Sequence, residues 1–450
     1  MKELIQAAEV LNSFDFDLWD IFYEMSENTI ISIENQKIEQ FITGFDCGTG
    51  IRGVKNYKVY YNFTTEKDKI TEIARNLIKS YFKQKNNLLI KNIKAKNKIK
   101  IQHKDIKSKT KIEMLKDLDC FIRKIDLKIK QVKLVLSEKT QQVKIINDTG
   151  RFVEEDRIYT SLIIFIVAFK NGKIETGYSV ISGLSGYELF DEKDIKKEAT
   201  RIAEATLKLL DIDKKITGLM PAVISAEAGG TMIHEAVGHS LEADLIQKKV
   251  SVFKGKIGNK IAADIITVID DPTIPFKRGS YNYDDEGVKS KKNILIENGI
   301  LKSYIHSRIT AKRDGIFSTG NGRRESFRHI PIPRMSNIYI APGKGKVEDL
   351  IKDTKRGIFI KKMGGGQVNT VTGDFIFEIK EGFAIENGKI SYPVRDATLL
   401  GNGPEILKKI DAVCDDLGFE AGTCGKDGQA VPVSDAQPTI RIPEILIGSK

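Results

Sequence analysis

Asn-Gly pairs at 171–172, 298–299 and 387–388, each set between two strand-like runs, constrain this chain more than any other feature. A two-residue hairpin turn needs positive φ at both central positions, and Asn followed by Gly adopts it at little steric cost. The flanking runs are therefore neighbours in antiparallel sheets: 159–169 with 173–182, 293–297 with 300–305, and 382–386 with 389–394. Further strand-like runs fall at 28–34, 38–44, 57–63 and 127–136. Helical periodicity appears at 2–13, with Leu4, Ile5, Ala8 and Leu11 on one face, and at 67–83, with Ile70, Ile73, Ala74, Leu77 and Ile78. It recurs at 109–124, 192–210, 231–248, 347–355 and 404–416, the last with Pro404 in its first turn and Gly418 after its end. The fold class that follows is α+β: N-terminal helix and sheet units, then a mostly antiparallel β domain with one prominent helix.

Glycine divides the chain: nine occur in residues 1–216 and 28 in residues 217–450. Four of the five histidines also fall in the second part. A regular scaffold followed by a loop-rich domain gives this asymmetry, and it sets the main boundary near Ile216. The first part repeats one order (helix, strands, helix) across a Lys/Asn-rich linker at 83–100. Three domains are expected: 1–95, a Lys-rich central unit at 96–215, and 216–450.

The net charge of +11 raises the question of nucleic acid. Residues 81–150 hold 18 Lys and one Arg against seven acids, so this segment accounts for the whole excess. It lacks aromatic interleaving, zinc-finger spacing and a Gly-rich RNA signature, and reads as a solvated lysine surface, with nucleic acid as the lesser reading. The longest apolar run, 162–169, is far short of the roughly 20 residues a membrane helix needs. The N-terminus carries acids where a signal peptide would be apolar. Four cysteines are no disulfide framework. A cytoplasmic protein is expected.

The chemistry enters at the helix near 231–248, which holds His234-Glu235-Ala236-Val237-Gly238-His239. Histidines four apart lie about 40° around a helix; five apart they lie about 140° apart, too far to share one tetrahedral ion. One i→i+5 turn would return them to the same side. Gly238 weakens the regular helix at that point, so a π-bulge or local break is expected. Two imidazoles and a third ligand leave a zinc position open for water, and Glu235, beside the first ligand, is the candidate general base. The same string also occurs in plain buried helices, so it does not decide the matter alone.

Other segments do. His234–Asp244, Gly279–Gly287, Leu295–Gly299, Thr319–Ser326, Pro331–Met335, Gly364–Val368 and Cys424–Gln429 run in this order through the second part. With them the chain resembles the TldD/PmbA family of metallopeptidases, specifically its metal-bearing TldD branch. The resemblance implies a Zn2+-dependent peptidase acting on unfolded or flexible peptides. It implies His234, His239 and Cys424 as metal ligands, Glu235 as base, and an enclosed dimer with a metal-free sister subunit or a second copy. The stretch Ser434-Asp435-Ala436 departs from the family's small, apolar pattern and is expected to touch no ligand.

The residues themselves leave Cys424, Cys414, His306, His329 and Glu242 as rivals for the third ligand. Glu242 would need a second distortion of its helix. Cys414 reads as a buried hydrophobe in the 404–416 helix, and His306 as half-buried on a hairpin strand. Cys424 sits in a glycine-flanked turn with Lys426 near to favour its thiolate. For substrate contacts, Gly364, Gly365, Gly366 and Gln367 read as a wall of the peptide cleft. Arg323 and Arg324 read as a clamp for a substrate carboxylate or as partners of Glu325 or of the acids Asp284, Asp285 and Glu286. A deaminase would want a Pro-Cys-x-x-Cys motif, which is missing. A regulatory or nucleic-acid-binding protein with a structural metal would want a fourth ligand and leave Glu235 idle.

Overall fold

A computed structural model describes residues 1–77, 88–369 and 371–449 of the chain. Its first half is built on one seven-stranded sheet. Strands Lys58–Thr64, Lys37–Lys55, Leu18–Glu34, Ile129–Asn147, Arg151–Lys170 and Lys91–Ala95 lie side by side in that order, and Lys173–Gly183 pairs with Arg151–Lys170. Leu18–Glu34 pairs antiparallel with Ile129–Asn147 over 15 residues, so strands from both predicted N-terminal units share one sheet. These strands are much longer than the sequence runs suggested. Their middles are polar (Glu24, Ser26, Ser137, Gln141), which breaks the apolar alternation that marks a strand. The predicted linker contains a strand, Lys91–Ala95, parallel to Arg151–Glu155. The helix predicted at 67–83 is Ile70–Arg75 after a short turn, and its continuation through 78–83 lies outside the described residues, as does the linker's start.

Helices Ser108–Arg123 and Glu192–Leu209 cover one face of this sheet. Leu115, Leu118 and Ile122 from the first, and Ala199 and Ile202 from the second, bury against Ile31, Leu134 and Ile164. Each such Leu or Ile side chain contributes about 1.5–3 kcal/mol when fully buried. Helix Lys2–Asn12 seals the end, with Leu4, Ala7, Ala8 and Leu11 packed near Trp19 and Ile51. Lysines 91, 94, 96, 98, 104, 107 and 109 stay at the surface, whereas Lys111 is buried against Glu138.

The second half is mostly antiparallel, as expected, and holds two large sheets and a two-stranded one, Gly322–Arg323 with Ile332–Pro333. Strands Gly218–Ile224, Ile440–Ser449, Ala397–Asn402, Asp374–Glu386 and Arg356–Val368 close into a five-stranded barrel. A six-stranded sheet runs Ile300–Leu301, Asn293–Glu297, Val268–Asp270, Asn337–Ile340, Gln429–Gln437 and Gly418–Lys426, with the last at its edge. The three Asn-Gly turns form as expected, with φ of 50° and 81°, 48° and 79°, and 52° and 72°. The 404–416 helix ends early, at Gly403–Lys409, and Cys414 follows a short strand instead. Among the described residues no helix is long and apolar enough to cross a membrane.

Two mostly irregular stretches of this half, about 271–292 and 302–336, flank the hairpin of Asn293–Glu297 and Ile300–Leu301 and lie on the face of the N-terminal sheet that the helices leave uncovered. Phe327 packs there with Phe22, Val143, Ile145 and Val153. The acids 284–286, which a solvated turn would have left exposed, are all buried. This explains the polar strand middles: Glu24, for example, accepts from Gln141 and from the Phe327 backbone N–H.

Candidate metal centre

Residues 231–241 lie where the barrel and the six-stranded sheet meet. Met232, Ile233, Ala236, Val237 and Leu241 belong to one core with Ile360 and Phe377 of the barrel and Ile338 and Val433 of the sheet. The helix expected over 231–248 is not continuous. One turn, Thr231–Ile233, enters a π-helical segment, His234–Gly238, and then a short 3-10 turn, His239–Leu241. The His239 N–H donates to the His234 carbonyl, the i→i+5 bond that the spacing of the histidines demanded. Chain geometry at Glu242 is extended, and a second short helix begins at Ala243. Packing contributes as much as backbone freedom here. A β-carbon on Gly238 would lie 2.0 Å from the Met335 sulfur, so any larger residue would have to displace that buried side chain.

The two imidazoles meet edge to face, their centroids 5.1 Å apart. Cys424, from the edge strand Gly418–Lys426, brings its sulfur 3.4 Å from His239 Nε2. The donor atoms of His234, His239 and Cys424 all lie within 4.8 Å of one another. Zinc bonds of about 2.0–2.3 Å in tetrahedral array separate such donors by about 3.3–3.8 Å, so this set fits one ion after a small contraction. The histidines are 3% and 8% exposed, and His234 Nδ1 is buried without a hydrogen-bond partner among the described residues. Burial alone would raise the Cys424 thiol, but the two histidines outweigh it and bring it down to about 5, the thiolate side that a metal ligand requires. Glu235 is one-third exposed, with its carboxylate 3.9 Å from His239 Nε2, on the open side of the group.

Outer contacts fix this geometry. The Glu242 carboxylate receives His239 Nδ1–H at 3.0 Å, which leaves Nε2 as the metal-facing atom. Burial opposes ionisation of Glu242, yet Lys426 and His239 hold it down at about 2. The second distortion that Glu242 requires is thus present, and it turns the side chain to the back of His239. Lys426 sits 3.0 Å from Glu242 and 2.7 Å from Asp244. The thiolate is therefore favoured by the histidines, and Lys426 serves the carboxylates behind them. Arg334, fully buried, donates to the Cys424 carbonyl. Asp435 was expected to touch no ligand, but its carboxylate lies 3.8 Å from His234 Nδ1 and accepts the Gly230 N–H. Burial raises it to about 6. The Pro331–Met335 segment carried the only sequence hint of Arg334.

The rival ligands lie elsewhere. His306 is buried, not half-buried, and near Tyr304; His329 bonds Ser326; Cys414 is buried beside Gly345. Of the predicted cleft residues, Gly364 and Gly365 line a groove of about 470 Å3 together with Thr231, one turn ahead of His234. Gly366 packs on Phe377, and Gln367 is exposed. Arg324 is enclosed, donating to Asp20 and to the Asp285 carbonyl, so it is not free to clamp a ligand. Arg323 stacks on Tyr281 and donates to the Met335 and Pro432 carbonyls.

Family models for the PmbA/TldA metallopeptidase match the chain in three stretches: domain 1 over residues 19–80, the central domain over 102–207, and the C-terminal domain over 217–449. A metalloprotease TldD homolog of Haemophilus influenzae is 35% identical, covering 99% of this chain and 96% of its own length. A zinc metalloprotease TldD homolog of Saccharolobus solfataricus is 30% identical, over 100% and 99%. The crystal structure of TldE from Thermococcus kodakarensis shares the fold, with a TM-score of 0.77 at 22% identity, over 99% of this chain and 100% of that one.

Proposed function

The chain belongs to the PmbA/TldA (TldD/PmbA) family of metallopeptidases, and from that premise we propose that it hydrolyses peptide bonds in flexible or unfolded peptides with zinc held by His234, His239 and Cys424. The observation that carries the reading is the convergence of those three donors beside the Glu235 carboxylate. A zinc ion bound there would lower the pKa of water to about 7 and polarise the scissile carbonyl. Glu235 takes the proton of the attacking water and delivers it to the leaving nitrogen, a role worth roughly 10²–10⁴ in rate. Glu242 keeps His239 in the required tautomer, and Arg334 holds the backbone at Cys424. Because both histidines are buried and Glu235 is the open member, the substrate arrives as an extended chain and not as a folded surface. A purely structural zinc would take four protein ligands; this group offers three.

Casein or a mixed peptide pool, with and without chelator, tests the activity. Glu235→Gln should keep near-stoichiometric zinc while peptide turnover drops by about two orders of magnitude or more. An active variant, or one that loses its metal, refutes the assignment of Glu235. The enzyme works in the cytoplasm as a dimer, with a metal-free sister subunit or a second copy. Light scattering should then give a mass clearly above the 50.4 kDa monomer once the partner is present; a fully active monomer would overturn the dimer.

A further inference from the structure

On the other face of the strand that carries Cys424, a cleft of about 250 Å3 opens between the hairpin 418–437 and the N-terminal sheet. Arg278 and Arg323 line it, with Tyr159 between the two sheets. Neither guanidinium has a carboxylate partner among the described residues. Arg278 donates to the Gly422 carbonyl and to the hydroxyls of Ser161, Ser182 and Thr423. Arg323, 4% exposed, donates only to backbone carbonyls. The acids that also reach the cleft are committed elsewhere: Asp285 to Arg157 and the Arg324 N–H, Glu325 to the Ala430 N–H. Asp270, buried nearby, is held by Asn321 and Ser336. Burial and the charge of Arg323 both push Arg278 below the ordinary arginine range. Two adjacent, largely desolvated cations with no carboxylate in contact with either are costly to keep, and they attract an anion.

We propose that this cleft binds a carboxylate of the substrate peptide, with Arg278 and Arg323 as its cationic walls and the Tyr159 hydroxyl as a neutral donor. Arginine suits a carboxylate because its fork presents paired N–H groups. The proposal rests on the peptidase reading and refines it. Thr423 borders the cleft and is the neighbour of Cys424, with its side chain on the opposite face of the strand. Gly418–Lys426 is the edge strand of its sheet, so a peptide extended at roughly 3.3 Å per residue can pass around that edge from the metal group on one face to the cleft on the other. The carboxylate bound here therefore sits a few residues from the scissile bond, and it gives the enzyme a preference for peptides with a nearby acidic group.

Fluorescence anisotropy on the full-length Glu235→Gln protein, whose turnover is cut by about two orders of magnitude or more, provides the test. Three dye-labelled hexapeptides of Ala and Ser serve as probes: a free acid, its C-terminal amide, and the amide with one internal Glu. The free acid, the Glu peptide or both should bind at least tenfold more tightly than the neutral amide, and the pattern identifies a terminal or a side-chain carboxylate. Adding Arg278→Gln should abolish the difference, and Tyr159→Phe, which keeps the ring, should reduce it several-fold; melting curves verify that each variant is folded. Equal binding of all three probes, or a preference that survives Arg278→Gln, overturns the proposal. If the preference stands while the wild-type protein hydrolyses none of the peptides, the peptidase reading falls and the anion site does not.

Discussion

Two buried cysteines show how environment, not burial, sets the role of a thiol. For Cys414, burial and the acids Asp416, Asp415 and Glu348 push it up to about 11, so it stays a neutral, inert thiol. Cys424 is equally enclosed, but the histidines bring it down to about 5. Cys424→Ala should therefore lose zinc, activity and some thermal stability, while Cys414→Ala keeps metal and activity. Metal analysis of both purified variants checks this, and full zinc in Cys424→Ala would move the third ligand elsewhere. Both cysteines were readable as candidates in the sequence. Glu242 was readable only as a rival ligand; its place behind His239 was not, because it gets there through a helix break that one-dimensional periodicity cannot show.

At the scale of elements, the five-residue spacing of the histidines forced an irregular turn, and the π segment His234–Gly238 supplies it. The glycine inside it was legible as a weak point of the helix; its contact with Met335 was not, since that partner is about 100 residues away. Gly238→Ala places a β-carbon against a fully buried sulfur, and overpacking of this kind costs about 1–3 kcal/mol. Zinc affinity should fall with stability, because the same turn aims both histidines. In the double variant Gly238→Ala/Met335→Ala the loss should be clearly smaller than the sum of the single losses. Additive losses in urea unfolding would show that the contact is not what selects glycine.

For the whole molecule, the irregular stretches at 271–292 and 302–336 are bound to the N-terminal sheet by buried ion pairs. Arg52, fully enclosed, contacts both Asp20 and Glu286; Asp20 also pairs with Arg324, and Arg157 with Asp285. Removing one member leaves uncompensated charge in a dry interior. Arg52→Ala should cost about 3–5 kcal/mol, read as a lower urea midpoint. A loss under about 1 kcal/mol would mean that apolar contacts around Phe327 carry the junction instead.

The sequence alone determined what depends on neighbours along the chain. Asn-Gly pairs set the hairpins, apolar stripes set most of the helices, and the His-Glu-x-x-x-His spacing set the distorted turn. Tertiary structure alone decided what depends on residues far apart. The strands at 18–34 and 129–147 pair through polar middles that look like loops until the 271–336 segment covers them. Asp435 approaches His234, Arg334 holds Cys424, and Arg278 faces Arg323 only because separate strands and loops converge there. Local propensity acts over a few residues, whereas the field and burial at a side chain come from whatever the fold brings beside it.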